Sequence, residues 1–355
     1  MPNPNPSPEE LLAMAELYLQ ESVAPLAAEL DRNPEALREA LQGLADRSLL
    51  ALEIAAGTEA TRQFQEITAR YSGALAFLQT QHQSAGAMLA KGSNESLKQE
   101  YLPHLANGSR LLGLGFSHLR RLGSPAVKAL PVPGGYLISG RVPWITGWDF
   151  FSEFILGATL PDGMELYGMA PLKKTEQADG GAIAFSEPMQ LAAAQSTNTV
   201  TCLLSDWFLP EELVIAIEPK DSLRAKGKKN LLRHSFFCLG CARAGLDIIE
   251  AAARSKALPF IVAAFESLQE DLANCREAIW QERQSLEASF EKQLELRIWA
   301  IELANRCSRA AIAVSSGSAN YGDHPAQRVY REALLFAVAG QTIDVMEAHL
   351  KRLAI

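Results

Sequence analysis

The feature that most constrains the fold is a change of hydrophobic period along the 355-residue chain. Apolar residues recur at helical spacing from about residue 7 to residue 112, and again from about residue 222 onward. Between these regions the chain consists of short β-type runs that Gly, Pro and Asp interrupt. We therefore predict an α+β multidomain protein with an N-terminal helical domain over 1–112, a middle β-barrel or β-sandwich over 113–217, and a C-terminal four-helix bundle over 218–355.

The helical regions carry apolar stripes that are spaced for one face of a helix. The stripes of the first region are Leu11, Leu12, Ala15 and Leu19, then Leu37, Leu41, Leu44 and Ala45, then Leu75, Leu78 and His82. Ser7 followed by Pro8 is typical of a helix start. In the second region, long helices are predicted near 231–256, 259–287, 290–316 and 326–353, with Trp280 and Trp299 in the core.

The segment 134–147 predicts a hairpin strand that ends in Trp144, Ile145 and Thr146. Side chains two residues apart on a strand point to the same face, so the indole and the hydroxyl are expected side by side. A planar heteroaromatic ring could stack on such an indole while its edge atoms bond the hydroxyl. The strand end is therefore a candidate binding site.

Four segments resemble, in the same order, segments of the acyl-CoA dehydrogenases, a family of flavoproteins. They are 99–113, the Trp-x-Thr segment at 144–146, 207–214, and 324–342. The resemblance implies the same helical, β and helical architecture, with FAD bound between the β domain and the bundle. It also implies oxidation of the CH–CH group of an acyl thioester such as acyl-CoA, or of a related carbonyl compound, in fatty acid metabolism. A homodimer or homotetramer is expected.

The resemblance also implies which residues bind the cofactor. Trp144 and Thr146 would lie beside the flavin, and the loop 116–125 would meet it through Ser124 and through either Ser117 or His118. The alternative for this loop is an ordinary polar connection.

A turn late in the chain completes the expected cofactor site. Gly340, Gln341 and Thr342 begin the last helix, where free N–H groups and the helix dipole favour an anion such as a pyrophosphate. The alternative for this turn is a simple helix cap.

The chain departs from the family at the position of the catalytic base. Family members carry a Glu directly before the Gly of the last turn, and this chain has Ala339 there. Some relatives place the base about ten residues before a Gly of an earlier helix, and that count from Gly240 reaches Asn230. Loss of a general base costs roughly 10²–10⁴-fold in rate. No catalytic residue is assigned from the sequence, although a carboxylate such as Glu250 could substitute.

Three functions are compatible with these residues. The first is an FAD-dependent dehydrogenase of the family type. The second is a flavin-dependent monooxygenase or oxidase on the same fold, which needs no base for an α-proton. The third is a non-catalytic binding protein, which Ala339 and the altered segment around Arg254 favour, because family members often use an Arg near that point to reach a neighbouring subunit's cofactor.

Charge and composition limit the partners. The formal net charge of −8 would repel a nucleic acid backbone. No run of about 18 apolar residues is present to span a membrane, and the first residues lack the pattern of a secretory signal. The five cysteines are scattered and odd in number, which does not suggest a disulfide framework. A cytoplasmic protein with reduced thiols is expected.

Two local clusters could bind ligands but have simpler explanations. Arg224, Lys226, Lys228 and Lys229 could clamp phosphates, yet such a run is more often a solvated loop. His234, Cys238 and Cys241 share a helical face, but the fourth ligand of a zinc site is missing locally. We therefore predict no metal site and expect these three side chains to pack in the core.

Overall fold

Residues 8–105 are mainly α-helical in the computed structural model, which describes residues 6–354. Residues 1–5, the start of the predicted N-terminal domain, and residue 355 lie outside the described part. The helices are α1 (Pro8–Tyr18), α2 (Ala27–Leu30), α3 (Pro34–Ala45), α4 (Leu52–Tyr71), α5 (Gly73–Lys91) and α6 (Glu95–Leu105). Ser7 caps α1 as predicted, because its hydroxyl accepts from the N–H of Glu10 at 3.2 Å while the Glu10 carboxylate accepts from the N–H of Ser7 at 2.7 Å.

The predicted apolar stripes face the core of this domain. All their members are buried except Leu12, which is half-buried. The buried His82 bonds through Nε2 to the carbonyl of Leu105 at 2.9 Å and accepts from the N–H of Leu112 at Nδ1, at 3.0 Å. Burial lowers the pKa of His82 to about 4, so the ring is neutral and joins the end of the helical region to the first strand.

The middle region forms one mixed β-sheet. Its strands are β1 (Leu112–Gly115), β2 (Val127–Val132), β3 (Gly135–Ile145), β4 (Glu153–Thr159), β5 (Glu165–Pro171), β6 (Thr175–Glu176), β7 (Ala182–Phe185), β8 (Val200–Pro210) and β9 (Val214–Glu218). They follow the order β6-β7-β8-β3-β2-β4-β5-β9, and β1 pairs in parallel with β4. The sheet curls so that β5 and β8, which are not neighbours in the strand order, pack against each other. A Cβ added at Gly168 of β5 would lie 2.4 Å from the side chain of Leu209 of β8.

The remaining helices are α7 (Ser222–Lys229), α8 (Ser235–Lys256), α9 (Pro259–Gln284), α10 (Phe290–Ser315), α11 (Pro325–Val338) and α12 (Ile343–Leu353). The predicted order of a helical domain, a β domain and a helical domain is confirmed. The predicted single segment 326–353 is two helices, because the chain turns at residues 339–342 with Gly340 at φ 65°. Trp280 and Trp299 are half-buried against the core.

Helix α8 is the centre of the C-terminal region and packs closely on the N-terminal helices. A Cβ at Gly240 would lie 2.2 Å from the carbonyl oxygen of Glu66, so only glycine lets α8 approach α4 this closely. In the described part of the chain, the helices are too short or too polar to cross a membrane.

Asp31 joins the three regions of the chain. It follows α2, is 1% exposed, and accepts from the backbone N–H of Ala194 in the β region at 2.6 Å. Its other oxygen accepts from Nη2 of Arg331 in α11 at 2.6 Å. One buried carboxylate therefore contacts a partner in each of the other two regions.

A second buried carboxylate lies one residue beyond Arg331. Glu332 is fully buried and pairs with Nη1 of Arg328 at 2.7 Å. Its Oε1 accepts from the N–H of Gly73 at the start of α5, at 2.8 Å. Together, Asp31, Arg328, Arg331 and Glu332 form the Asp31 junction, in which two carboxylates balance two guanidinium groups.

Candidate functional site

The short 3₁₀ turn Ser117–Arg120 carries the first group of predicted site residues. Its orientation is set by Phe116, which packs edge-on against Tyr167 with ring centroids 5.5 Å apart. His118 is 4% exposed and bonds through Nε2 to the carbonyl of Gly157 at 3.1 Å, while its Nδ1 has no protein partner. Burial lowers the pKa of His118 to about 4, so the ring is neutral near pH 7.

The other two predicted residues of this loop are exposed. Ser117 and Ser124 both face solvent, and Gly123 beside Ser124 has a φ of 99°. The sequence left Ser117 and His118 open as alternatives. The structure distinguishes them by environment, since one is a solvated hydroxyl and the other a buried ring with an unmet nitrogen.

Trp144 lies in an open pocket at the end of β3. The pocket has a volume of about 400 Å³ and is lined by Arg121, Ala126, Arg141, Pro143, Trp144, Met189 and Thr201. The indole is 47% exposed, which is unusual for so large an apolar group. Two guanidinium groups beside an exposed indole could bind an aromatic ring that carries negative charge.

The expectation that Trp144 and Thr146 occupy one environment is wrong. Thr146 is 6% exposed, and its hydroxyl bonds that of Thr199 at 2.9 Å. The reason is that β3 and β8 shift register between Val142 and Ile145, which breaks the alternation on which the expectation rests. Of this pair, only the indole lines the pocket.

Gly340, Gln341 and Thr342 form the turn between α11 and α12. The Thr342 hydroxyl accepts from the N–H of Val345 at 3.2 Å, so it caps α12, while Gln341 is exposed. Gly340 is required because a Cβ there would lie 2.1 Å from the ring of His234. Both observations match the helix-cap alternative, and they leave the other N–H groups of this first turn available to an anion.

The 3₁₀ turn lies between the Trp144 pocket and the last turn. On one side, Arg121 lines the pocket with Trp144. On the other side, burial and then the charges of Arg233, Arg297, Arg120 and Arg62 lower the pKa of His234, whose ring packs on Gly340. His234 thus contacts the last turn and lies near enough to Arg120 of the 3₁₀ turn to feel its charge.

Arg297 is a buried residue beside the last turn that sequence reasoning missed. It is 2% exposed, and its Nη2 donates to the carbonyls of Phe336 at 3.2 Å and Ala339 at 3.0 Å. A cation at these carbonyls stabilises the end of α11. Its position inside the apolar run 296–301 was the available signal, because an Arg there must find buried acceptors.

The other candidates have local partners. Glu250 accepts from Arg254 at 2.5 Å and from Arg243 at 3.5 Å, on the far half of α8. In the basic run, Arg224 pairs with Asp221 at 2.5 Å, Lys226 pairs with Glu218, and Lys228 pairs with Asp344 at 3.5 Å.

The cysteines are buried in the apolar interior. All five are free. Cys238 and Cys241 lie near the carbonyls of Phe336 and Val329, at 3.7 and 3.5 Å. Within residues 6–354, no three side chains of His, Cys, Asp or Glu converge as metal ligands.

Residues 5–109 match the family model described as "Acyl-CoA dehydrogenase, N-terminal domain". The chain is 25% identical over 283 residues to the probable acyl-CoA dehydrogenase YngJ of Bacillus subtilis (strain 168), covering 73% of this chain and 72% of that protein.

The fold is also that of solved acyl-CoA dehydrogenase structures. Butyryl-CoA dehydrogenase from Megasphaera elsdenii superposes with a TM-score of 0.79 at 14% identity, covering 98% of each chain. A glutaryl-CoA dehydrogenase from Mycobacterium smegmatis in complex with FADH2 gives 0.82 at 14% identity, covering 98% of this chain and 94% of that one. A helical domain, a curled mixed sheet and a helical bundle in this order define the acyl-CoA dehydrogenase fold. The whole chain therefore has the fold of the acyl-CoA dehydrogenases, and its residues 5–109 match the model of that family's N-terminal domain.

Proposed function

We propose that this protein is an FAD-dependent oxidoreductase that acts on the CH–CH group of an acyl thioester, such as an acyl-CoA, or of a related substrate. The observation that carries the proposal is the Trp144 pocket, because its exposed indole and two arginines fit a flavin with its diphosphate. Relatives named as acyl-CoA dehydrogenases, and a relative solved with FADH2, support the same cofactor and substrate class.

The residues proposed to hold FAD come from three elements. Trp144 would stack on the ring system, while Arg121 and Arg141 would face the phosphates. The unmet Nδ1 of His118 is a polar group available to a ligand. The loop and turn residues Ser117, Ser124, Thr146, Gly340, Gln341 and Thr342 remain candidates, with Thr146 limited by its bond to Thr199.

The chemistry divides between cofactor and protein. When bound, FAD supplies the hydride acceptor. The protein must orient the substrate, exclude water and remove a proton. At position 339 it offers a methyl group and a carbonyl already bonded to Arg297, and neither can take that proton. We therefore propose that dehydrogenation by this chain is slow.

Restoring the missing carboxylate tests this proposal. Ala339→Glu should accelerate anaerobic bleaching of the bound flavin by an acyl-CoA by roughly 10²–10⁴-fold, because it supplies a general base. Ala339→Gln is the matched control, since it has a similar size and no basicity. Bleaching that is equally slow in both variants, with FAD bound, would contradict the proposed substrate class.

Ala339 also favours a second candidate, a flavin-dependent monooxygenase or oxidase. Such an enzyme needs no base for an α-proton, so the substitution would cost it nothing. Rapid oxygen uptake after external reduction, without bleaching by acyl-CoA, would identify it. A protein that cannot be reconstituted with FAD would instead be a non-catalytic member.

We propose that the protein is a homodimer or homotetramer assembled through α11 and α12. These helices expose an apolar surface made of Tyr330, Leu334, Val338, Ile343, Met346, Leu350 and Leu353, each at least 44% exposed. So many large apolar groups on adjoining helices are typical of an interface, and a second copy of the same surface is the simplest occupant.

Light scattering on the purified protein tests the assembly. Leu334→Glu should reduce the mass toward that of one 38.6 kDa chain, because it places a charge in the interface. Leu286→Glu is the control, since Leu286 is fully exposed and lies outside this surface. A wild-type protein that is monomeric at micromolar concentration would contradict the proposal.

We also propose a cytoplasmic location. Five buried, free cysteines are consistent with a reducing compartment. Mass spectrometry of the native protein after alkylation, with all five thiols modified only on unfolding, would support this proposal.

A further inference from the structure

A cluster of arginines lies where the helical domains and the 3₁₀ turn meet. Its members are Arg62 in α4, Arg120 in the 3₁₀ turn, Arg233 just before α8, and Arg283 near the end of α9. Arg62 is 5% exposed, and the other three are half-buried. Among the described residues none of the four forms an ion pair within 4.0 Å, which is unusual for cations this far from solvent.

Two of these arginines are held over one face of α5. Arg62 donates through Nη1 to Oε1 of Gln65 at 2.6 Å, and Gln65 donates to the hydroxyl of Thr80 at 3.2 Å. Arg233 donates through Nη2 to the hydroxyl of Ser84. Thr80 and Ser84 are four residues apart on α5, so they lie one above the other on the same face.

The donors of this cluster are not all used. Nε of Arg62, Nε of Arg233 and Nε of Arg283 are buried without a partner, as is Nε2 of Gln83, the residue before Ser84. A buried unmet donor typically costs about 1–3 kcal/mol. Several such donors at one place are typical of a site that accepts a group with acceptor oxygens.

The charges of the cluster also oppose one another. Burial, followed by the charge of Arg233, lowers the pKa of Arg62 to about 9. Burial, followed by the charge of Arg233, also lowers the pKa of Arg120. Burial is the larger cause of both shifts, and the charge of Arg233 adds to it.

Three carboxylates lie near the cluster, and two of them are engaged elsewhere, while the third, Glu59, acts on Arg283 at its edge. The charge of Glu53 raises the pKa of Arg62, Arg233 and Arg283, but its carboxylate pairs with Lys91 at 3.6 Å. The charge of Glu165 raises the pKa of Arg120, but the Glu165 carboxylate accepts from the hydroxyl of Tyr167 at 2.6 Å and from the N–H of Leu223 at 3.0 Å.

We propose that Arg62, Arg233 and Arg120, with Arg283 at the edge, form a binding site for a small anion, either a carboxylate or a phosphate. The site goes beyond the proposed function and is distinct from the Trp144 pocket, since none of the four arginines lines that pocket. Guanidinium groups donate in a fork that matches the oxygens of both anions. Such an anion would satisfy the unmet donors and relieve the repulsion between the arginines.

Thermal unfolding of the full chain at constant ionic strength tests the site. Inorganic phosphate and malonate are titrated separately into a HEPES–NaCl buffer, so that the two probes distinguish phosphate from carboxylate. At least one should raise the Tm of the wild type along a curve that saturates, as a ligand of the native state does. Arg62→Gln should weaken the apparent affinity at least tenfold.

Arg254→Gln is the matched control. Arg254 is 78% exposed on its side chain and lies near the opposite end of α8 from Arg233, about 30 Å away at the helical rise per residue. This variant should keep the wild-type response. Equal loss in both variants would overturn the proposal, as would a wild type that responds to neither anion.

The sign of the change in Tm that each mutation causes in the absence of anion distinguishes an anion-binding arginine from a structural one. In the HEPES–NaCl buffer, Arg62→Gln and Arg233→Gln should leave Tm unchanged or raise it, because each removes an unpaired buried charge. In saturating anion their Tm should fall below that of the wild type. A variant that unfolds earlier than the wild type by the same amount in both buffers would show that its arginine is structural. That outcome for both variants would overturn the site and would leave the FAD proposal untouched.

Discussion

The Asp31 junction and the arginine cluster both lie between regions of the fold, yet buried charge is balanced in the first and unbalanced in the second. In the Asp31 junction, two carboxylates meet two guanidinium groups, and Asp31 and Glu332 also accept backbone N–H groups. In the arginine cluster, four guanidinium groups share no ion pair among the described residues, and three of their nitrogens are unmet.

The difference indicates two roles for polar groups at domain contacts. A charge-balanced set fixes the relative positions of the helices and the sheet, and its removal should cost stability. An unbalanced set costs stability as it stands, and a bound anion would compensate that cost. The comparison therefore predicts opposite responses to mutation.

The largest effect should follow loss of Glu332. Glu332→Ala leaves the Arg328 guanidinium buried without its partner and removes the acceptor for the N–H of Gly73. We expect a loss of about 3–5 kcal/mol in the free energy of unfolding, measured by urea denaturation.

Glu302→Ala is the control for this prediction, because the Glu302 pair with Arg352 lies at the surface, with the Arg352 side chain 63% exposed. It should lose less than about 1 kcal/mol. Similar losses in the two variants would show that the Asp31 junction has no special structural role.

An intermediate effect should appear on acidification. The pKa of His118 is about 4 in the folded protein and about 6.5 when unfolded, so the unfolded chain takes up a proton first as the pH falls. The stability from its neutral ring is full above pH 6.5 and is lost on the way to pH 4. Between pH 7 and pH 5 the loss should be about 2 kcal/mol.

His118→Asn should flatten the pH dependence of unfolding by this amount. Glu332 in the Asp31 junction acts in the opposite direction, because burial raises its pKa, so the folded state takes up that proton first. An unchanged slope in His118→Asn between pH 7 and pH 5 would mean that the ring is solvated.

The smallest effect should come from the arginine cluster without its anion. In chloride buffer, Arg62→Gln should change the free energy of unfolding by no more than about 1 kcal/mol, and in the stabilising direction, because the charge it removes is buried and unpaired. Urea denaturation of both proteins in HEPES–NaCl measures this difference. A loss as large as that of Glu332→Ala would remove the contrast between the two regions.

Periodicity predicted much of this fold. The stripes through Leu37 and Leu75 and the cap at Ser7 follow from local rules that the tertiary structure did not override. The different environments of Trp144 and Thr146 were not predictable, because a register shift depends on the pairing with β8 and not on the strand's own sequence.

The arginine cluster was invisible for a different reason. Its members lie between residues 62 and 283, and each taken alone resembles an ordinary surface charge. Only the packing of α4, the 3₁₀ turn, the turn before α8 and the end of α9 reveals that they meet. The absence of a base at Ala339, in contrast, was predictable, because a departure from a motif can be recognised in the sequence alone.

The most direct test of the account is a titration of the purified chain with FAD, followed by absorbance near 450 nm after removal of free cofactor. The account predicts one FAD per chain in the wild type and at least tenfold weaker binding in Trp144→Ala. Binding should be normal in the control Trp148→Phe, because Trp148 packs on Phe185, with ring centroids 4.5 Å apart, and does not line the Trp144 pocket. A wild-type protein that stays colourless at saturating FAD would contradict it.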